Sequence, residues 1–193
     1  IVGINDPGFL RPSNLLGIAG DIVPLFIMAL GLTFAIYIGG IDLSAQSMAN
    51  MVTVIASVYL ASMGAWVAVV CVLAGFLLGG LSGFVTTRLY VPSFISTLAV
   101  GGIAFSIAQW LSGQRALNMD ATQRNETFGW MIGRIWGVPN ELLIAAVLVL
   151  ACLFIERRTT LGRALKAVGA GELAAAASGL NVARYKILAF AIS

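Results

Sequence analysis

Residues 156–186 read ERRTTLGRALKAVGAGELAAAASGLNVARYK, and apolar runs flank this basic stretch on both sides. Lys and Arg in short loops between membrane spans resist translocation, so the stretch is predicted to lie on the cytoplasmic side of a membrane. It holds six of the eleven basic residues of the chain, namely Arg157, Arg158, Arg163, Lys166, Arg184 and Lys186.

A short Ala-rich run lies inside the basic stretch, between Gly171 and Gly179. Ala is the strongest helix former, and Gly often stands just outside a helix end. Glu172 at the start of the run suits the positive end of a helix dipole. The run therefore predicts a short helix parallel to the membrane surface and available to a cytoplasmic partner, although a plain basic connector that only sets topology would share this composition.

The composition of the whole chain is that of a membrane protein. The 193 residues are 60% hydrophobic and only 10% charged, and a soluble domain would carry about 25% charged residues. The fold class predicted is an all-α, polytopic transmembrane helix bundle. There is no His, and Cys71 and Cys152 lie in apolar runs, so neither a disulfide nor a metal site is predicted. The net charge of +3 comes without a basic patch interleaved with aromatics, which argues against nucleic-acid binding.

Five spans are predicted from the apolar runs. Residues 1–20 are interrupted by Pro and Gly and are expected to form an extracytoplasmic loop or interfacial segment. Pro24 is expected in the first turn of the first span, and residues 113–139 are expected to form a long loop between the fourth and fifth spans. The spans are approximately residues 22–38, 44–62, 66–87, 92–112 and 141–155.

The string GGIDLS at residues 39–44 separates the first two spans. Its two glycines weaken the helix, and Asp42 or Ser44 is predicted to cap the helix that follows. One interpretation places Asp42 at the membrane surface as a cap. The other places it deeper in a broken helix, where a charged Asp costs about 2.5–3.5 kcal/mol and needs compensation.

Polar residues in the second span share one side of the predicted helix. With Asp42 at zero and 100° per residue, they fall within about 80°. Polar side chains in a span face the bundle interior or a water-filled path, so this polar stripe predicts a substrate path. Hydrogen bonding between helices is the alternative. The polar stripe consists of Asp42, Gln46, Asn50, Thr53 and Ser57, and the residues off it include Met48, Met51, Val52, Val54 and Ile55.

Gly75, Gly79 and Gly83 form a doubled G-x-x-x-G pattern in the third span. Small residues at this spacing allow another helix to approach closely, so these glycines are predicted to be a helix-packing face. A hinge for gating is the functional alternative.

Several strings resemble ribose-type sugar ABC importer permeases, which share a broader family with branched-chain amino-acid permeases. GGIDLS is the strongest of them, and the branched-chain permeases carry a different string there. The order of residues 158–193 is similar to the family's cytoplasmic coupling loop. Phe9-Leu-Arg-Pro-Ser-Asn-Leu-Leu16 and Pro92-Ser-Phe-Ile-Ser-Thr-Leu98 match other family strings. The chain departs from the family at Gly171, where many members have Asn, and at 45–47, where Ala-Gln-Ser replaces Val-Gly-Ser.

The resemblance implies a permease subunit that forms the translocation path and docks an ATPase. It implies a multi-pass protein of the cell inner membrane, surrounded by lipid, with residues 1–193 as one transmembrane domain that is incomplete at both ends. Such a piece is expected not to transport alone. The implied partners are cytoplasmic ATP-binding subunits, a second permease subunit (a homodimer or a heterodimer) and a periplasmic or lipoprotein sugar-binding protein. The residues it assigns to ATPase coupling are Arg163, Gly169, Glu172, Ala175, Ser178 and Gly179.

The chain itself is predicted not to be an enzyme and to take no cofactor. It has no G-x-x-x-x-G-K-[ST] string, so ATP and Mg²⁺ are expected on the partner ATPase. An intramembrane enzyme would need a catalytic constellation, for which neither His nor paired carboxylates are available. A passive channel would not need a docking loop. A branched-chain amino-acid permease is the remaining alternative, and the identity of the sugar does not follow from the sequence.

Overall fold

The computed structural model describes residues 11–193, and the described part of the chain is helical apart from two strands of two residues each. This confirms the prediction of an all-α bundle. The helices are α1 (Pro12–Tyr37), α2 (Ala45–Met63), α3 (Trp66–Arg88), α4 (Ser93–Ser112), α5 (Ala121–Ile132), α6 (Asn140–Arg158), α7 (Thr160–Ala170), α8 (Glu172–Ala177) and α9 (Val182–Ile192), with β1 (Arg134–Ile135) and β2 (Val138–Pro139) before α6.

The first helix starts ten residues earlier than the predicted span. Pro12 occupies the first position of α1, where its missing N–H costs nothing because that donor has no partner within the helix. The loop alternative for residues 11–20 and the prediction of Pro24 in a first turn are therefore wrong, since α1 covers these residues and Pro24 lies inside it, whereas the interfacial alternative stays a prediction. The apolar run that begins at Ile22 marks only part of the helix. Residues 1–10, including Phe9 and Leu10 of the matched string, lie outside the described residues.

Three helices are long and apolar enough to cross a membrane, namely α1, α3 and α4. The helices α2 and α6, with 19 residues each, coincide with the second and fifth predicted spans but are more polar. The polar stripe lowers the hydropathy of α2, and Glu141, Glu156, Arg157 and Arg158 lie within α6. The chain is thus a membrane protein, and the count of five spans stays a prediction.

The expected loop at residues 113–139 contains regular structure that the sequence analysis missed. Asp120 starts α5 by accepting hydrogen bonds from the backbone N–H groups of Thr122 at 2.8 Å and Gln123 at 3.0 Å. The strands β1 and β2 then pair antiparallel, with Arg134 opposite Pro139. The helix α5 has no buried residue, so its sequence lacks the apolar periodicity from which a helix is predicted.

Two apolar clusters hold the bundle together. One cluster joins α2, α3 and α4, and it comprises the buried residues Met51, Ile55, Leu60, Val67, Ala104 and Ala108. The other joins α1, α7, α8 and α9, and it comprises Phe34, Ala35, Ile38, Leu165, Val168, Ala175, Ala189 and Phe190. The second cluster shows that the basic stretch packs onto the bundle rather than hanging from it as a loop.

The helices α1, α3 and α6 end at the same end of the bundle, which we call the basic end because the basic stretch begins there. A pocket of about 270 Å³ at this end is lined by residues of the α1–α2 and α3–α4 connections together with Glu172 and Lys186. The helices α4 and α9 begin at the basic end and run away from it.

Candidate functional site

The segment between α1 and α2, residues 38–44, is not helical, and we call it the break segment. The helix α1 ends with Gly39 in the left-handed region (φ 71°), and Gly39 and Gly40 donate to the carbonyls of Ile36 and Ala35. These two bonds form the Schellman arrangement, in which the first residue beyond the helix favours Gly. The first Gly of GGIDLS therefore terminates α1, as the sequence predicts.

Past its glycines, the break segment runs along the first two turns of α4. The N–H of Ile41 donates to Ser93 Oγ at 3.0 Å, and the N–H of Leu43 donates to Thr97 Oγ1 at 3.1 Å. The backbone of Ser44 lies against Gly101, where an added Cβ would come within 3.3 Å of the Ser44 Cα. Because non-helical backbone inside a membrane protein needs its polar groups satisfied, these hydroxyls allow the segment to enter the bundle.

The exposure of side chains alternates along residues 41–44. Asp42 and Ser44 point into the bundle, where Ser44 is buried and Asp42 is half-buried, whereas Ile41 and Leu43 are 56% and 49% exposed. In the string I-D-L-S, the polar side chains are thus the more buried ones and the apolar side chains the more exposed ones.

Asp42 makes three hydrogen bonds. Its Oδ1 accepts from the N–H of Ser44 at 2.8 Å and from Ser44 Oγ at 2.6 Å, and its Oδ2 accepts from Ser193 Oγ at 2.7 Å. Ser44 stands at the N-cap position of α2, but its side chain caps no N–H group of that helix. The prediction that Asp42 or Ser44 caps α2 through its side chain is therefore wrong: Asp42 fixes the chain before the helix begins.

Asp42 lies well inside the bundle. Ser193 follows Lys186 by seven residues in α9, which corresponds to about 10 Å along a helix axis. Since Lys186 lines the pocket at the basic end, the Asp42 carboxylate lies roughly that far from this end. Whether GGIDLS lies at the membrane surface or deeper, in a broken helix, stays a prediction.

The helical members of the polar stripe face away from the bundle. Gln46, Asn50 and Thr53 are exposed, and Ser57 is half-buried. The hydroxyls of Thr53 and Ser57 donate to the carbonyls one turn earlier, those of Ala49 and Thr53, both at 2.8 Å. Within residues 11–193, the amides of Gln46 and Asn50 meet no hydrogen-bond partner. Asp42 is not on the helix, so the structure does not place it on the face that the other four share.

The opposite face of α2 is packed. Met51 and Ile55 are 1% and 6% exposed and lie in the cluster with α3 and α4. A cavity of about 540 Å³ adjoins a third side of α2, where Met48, Ala49 and Val52 line it. Asp42 and Ser193 form its polar end, and Cys71 and Cys152 also line it, but Gln46, Asn50, Thr53 and Ser57 do not. The four helical members of the polar stripe and the cavity are therefore separate features.

The basic stretch contains a helix that the sequence analysis missed. Thr159 caps α7 by accepting from the N–H of Gly162 at 3.2 Å. One side of α7 is buried through Ala164, Leu165 and Val168. These positions have helical spacing, and that periodicity is the signal that could have identified the helix. An added Cβ at Gly169 would collide with the carbonyl oxygen of Tyr37, so α7 lies directly on the end of α1.

The predicted short helix exists as α8, Glu172–Ala177, between Gly171 and Ser178-Gly179. Glu172 forms an ion pair with Lys186 of α9, with 2.6 Å between the Oε1 and Nζ atoms. Ala175 is buried at 4% exposure, whereas Leu173 on the other side of α8 is 88% exposed. The other residues assigned to ATPase coupling are exposed, namely Arg163, Gly169, Glu172, Ser178 and Gly179.

This arrangement separates two kinds of residue in α8. Ala175 packs against the bundle, so a charge placed there would act through the packing of α8. Leu173 is a large apolar side chain presented outward. The sequence analysis did not single out Leu173, although it is the only large apolar residue of ELAAAA.

A second ion pair steadies the start of the basic stretch. Lys166 Nζ lies 2.9 Å from Glu156 Oε1 and links α7 back to α6. The hydrogen bond from Lys166 is the main influence that lowers the pKa of the Glu156 carboxyl below its ordinary value. Two of the six basic side chains of the stretch, those of Lys166 and Lys186, are thus engaged by carboxylates within the subunit.

The three glycines of α3 have different surroundings. At Gly79 an added Cβ would collide with the carbonyl oxygen of Phe190, and at Gly83 it would come within 2.7 Å of the Ile187 Cα. Both glycines therefore seat α9 against α3 with backbones in contact. Gly75 has no atom within 4 Å of such a Cβ and lines the cavity instead.

Comparison with known proteins connects these features to a family. The family described as "Branched-chain amino acid transport system / permease component" matches residues 14–193. The ribose import permease protein RbsC of Escherichia coli (strain K12) is 33% identical over the whole chain, which covers 61% of that protein. The chain spans about three fifths of the length of such ribose permeases.

Other relatives are more distant. The fructose import permease protein FruF of Bifidobacterium longum (strain NCC 2705) is 28% identical over 94% of the chain and 54% of the relative. The xylose transport system permease protein XylH of Escherichia coli (strain K12) is 27% identical over 97% of the chain and 63% of the relative. No solved structure gives a significant match. The chain belongs to the family of permease components that takes its description from branched-chain amino acid transport systems.

Proposed function

We propose that this chain forms the membrane-spanning path of an ATP-driven importer of a small sugar and docks the ATPase through α7 and α8. The observation that carries the proposal is the direction of the polar stripe. Gln46 and Asn50 leave the bundle as exposed amides on a helix that lies among apolar, membrane-spanning neighbours. Amides facing lipid would lack hydrogen-bond partners, so this face of α2 is assigned to a water-filled path.

The chemistry of the polar stripe suits a neutral, hydroxyl-rich substrate. Amides and hydroxyls donate and accept weak hydrogen bonds that exchange with water, so a substrate can bind and leave. The neighbouring cavity suits such a substrate less, because its lining is mainly apolar. Relatives named for ribose, fructose and xylose support a sugar in preference to a branched-chain amino acid.

A path on the outer face of α2 needs a second wall. A partner permease subunit in the inner membrane, either another copy of the chain or a homologue, forms this wall. A soluble sugar-binding protein delivers the substrate, and ATP and Mg²⁺ bind to the ATPase subunits. The permease itself performs no covalent chemistry.

The docking surface is the outward side of α7 and α8. Leu173 supplies the apolar anchor, and Arg163 of α7 and Arg184 of α9 are exposed positive charges of the same basic stretch. Ala175, Leu165 and Val168 fasten the same helices to the bundle. A force applied at Leu173 is therefore delivered to packed helices, which is what an ATP-driven transporter requires of its docking site.

Replacement of Leu173 tests the docking assignment. Leu173→Glu is expected to lower co-purification of the ATPase at least about tenfold, because it removes an exposed anchor and adds a charge. Leu117→Glu, at an exposed leucine beyond the far end of α4, is the matched control and is expected to co-purify normally. Co-purification of Leu173→Glu at the level of the unmodified protein would contradict the docking role, provided that both variants insert into the membrane equally.

A further inference from the structure

We infer that α9 is a strut that couples α8 to the break segment, and that Ser193, which follows α9, is the positioning residue that holds Asp42. The inference deepens the proposed function and rests on it. Three contacts along α9 support this inference.

The first contact lies at the basic end. Lys186 Nζ and Glu172 Oε1 are 2.6 Å apart, and the Lys186 side chain is only 18% exposed. Glu172 is the first residue of α8, one position before the exposed Leu173. A displacement of α8 by a docked partner therefore acts directly on the first turns of α9.

The second contact lies four residues after Lys186, at Phe190. Phe190 is 1% exposed, and an added Cβ at Gly40 would come within 2.7 Å of its Cζ atom. The ring thus presses against the backbone of the break segment. The second glycine of GGIDLS is explained by crowding, since φ at Gly40 is not in the left-handed region, and an added Cβ would meet both the Phe190 ring and, at 3.2 Å, the carbonyl oxygen of Ala35.

The third contact is made by Ser193. Ser193 Oγ donates to Asp42 Oδ2 at 2.7 Å, while Asp42 Oδ1 holds the N–H and hydroxyl of Ser44. Ser44 is the residue from which α2 begins. The position of Ser193 is therefore tied to the start of the helix that carries Gln46 and Asn50.

The side of α9 also packs against α3. Gly79 and Gly83 bring the backbones of α3 and α9 into contact, so α9 lies in a groove on α3 without intervening side chains. A helix moves as a unit because its backbone bonds run along its whole length. Motion applied at Lys186 consequently arrives at Phe190 and Ser193, and through them at the break segment.

Thiol labelling on α2 tests the strut without knowledge of the sugar. The parent protein carries Asn50→Cys with Cys71→Ser and Cys152→Ser, in membrane vesicles with its ATPase, and is labelled by a water-soluble maleimide with and without Mg-ATP. We expect Mg-ATP to change the labelling rate in the parent. Ser193→Ala is expected to reduce that nucleotide-dependent change about fivefold, the effect of one lost hydrogen bond.

Two further variants separate positioning from general stability. Ser193→Thr keeps the hydroxyl and is expected to retain the response of the parent. Ser106→Ala is the matched control, because the Ser106 hydroxyl donates only to the Gly102 carbonyl of its own helix. It is expected to respond as the parent does.

The outcomes distinguish the strut from the proposed function. A full nucleotide response in Ser193→Ala overturns the strut and leaves the proposed function intact. Loss of ATPase co-purification in Ser193→Ala also overturns it, since Ser193 would then only maintain the fold. A parent that does not respond to Mg-ATP contradicts the proposed function itself, and the strut with it.

Discussion

The break segment and the helical part of the polar stripe are neighbours in the chain, yet their polar side chains point in opposite directions. In the break segment, Asp42 and Ser44 point inward, and their hydrogen bonds are made within the subunit. A few residues later, Gln46 and Asn50 point outward and meet no partner in residues 11–193. The first arrangement stabilises the fold of the subunit. The second leaves polar side chains available to a partner or substrate outside the subunit.

Two threonines show that residue type does not decide between these arrangements. Thr97 is fully buried and accepts the N–H of Leu43, from a segment more than fifty residues earlier. Thr53 is exposed, and its hydroxyl donates to the carbonyl of Ala49 in its own helix. A polar residue in a span is structural where it forms a hydrogen bond with another segment of the chain. It is available for function where its hydrogen bond stays within its own helix.

Removal of the Asp42 carboxylate should have the largest effect on stability. Asp42→Leu deletes the acceptor for Ser44 and Ser193 and is expected to lower the free energy of unfolding by about 3 kcal/mol, because hydrogen bonds to a charged group are among the stronger ones. Gln46→Leu is the matched control on the polar stripe and should leave stability nearly unchanged. Thermal denaturation in detergent measures both, and equal losses would erase the contrast between the two regions.

The threonine pair provides a near-isosteric test of smaller size. Thr97→Val leaves the N–H of Leu43 without its acceptor and is expected to cost about 2 kcal/mol of stability. Thr53→Val removes a hydroxyl that serves only its own helix, so a change within about 0.5 kcal/mol is expected. The midpoint of thermal unfolding should fall for Thr97→Val alone, and a fall for Thr53→Val would show that the stripe also supports the fold.

Substitutions on the polar stripe should affect transport and spare stability. Gln46→Leu and Asn50→Leu are each expected to reduce sugar uptake about fivefold, the effect of one lost hydrogen bond to substrate. Uptake of labelled ribose, xylose and fructose by cells that depend on this importer measures the effect. The control is Val54→Leu, at a position of α2 off the stripe. Uptake that survives both stripe substitutions would assign the stripe to contact between helices.

The smallest effect is expected from single cysteine substitutions, which compare positions of α2 that differ only in their angle around the helix axis. Single cysteines at 46, 50, 53 and 57, in a background without Cys71 and Cys152, are expected to react with a water-soluble thiol reagent. Cysteines at 48, 51, 52 and 55 are expected to react about tenfold more slowly, because Met51 and Ile55 are buried and Met48 and Val52 line the mainly apolar cavity. Equal rates at both sets of positions would refute a water-filled path along this face.

The sequence by itself determined the features that depend on local rules. Long apolar runs specified spanning helices, because each helix satisfies its own backbone. Glycines at 39, 171 and 179 marked helix ends, and the residues between the last two formed α8 as predicted. Local rules failed where the signal was weak. The polar helix α5 lacks apolar periodicity, and α7 was obscured by its charges and glycines.

Only the tertiary structure decided which residues of each element face inward. The inward side of α8 is set by its packing on Leu165 and Phe190, so Ala175 is buried while Leu173, two positions earlier, is exposed. Asp42 looked like a helix cap because caps are recognised from neighbouring residues. Its partner Ser193 is 151 residues away. A contact between residues so distant in the chain is created by helix packing, which local sequence patterns do not predict.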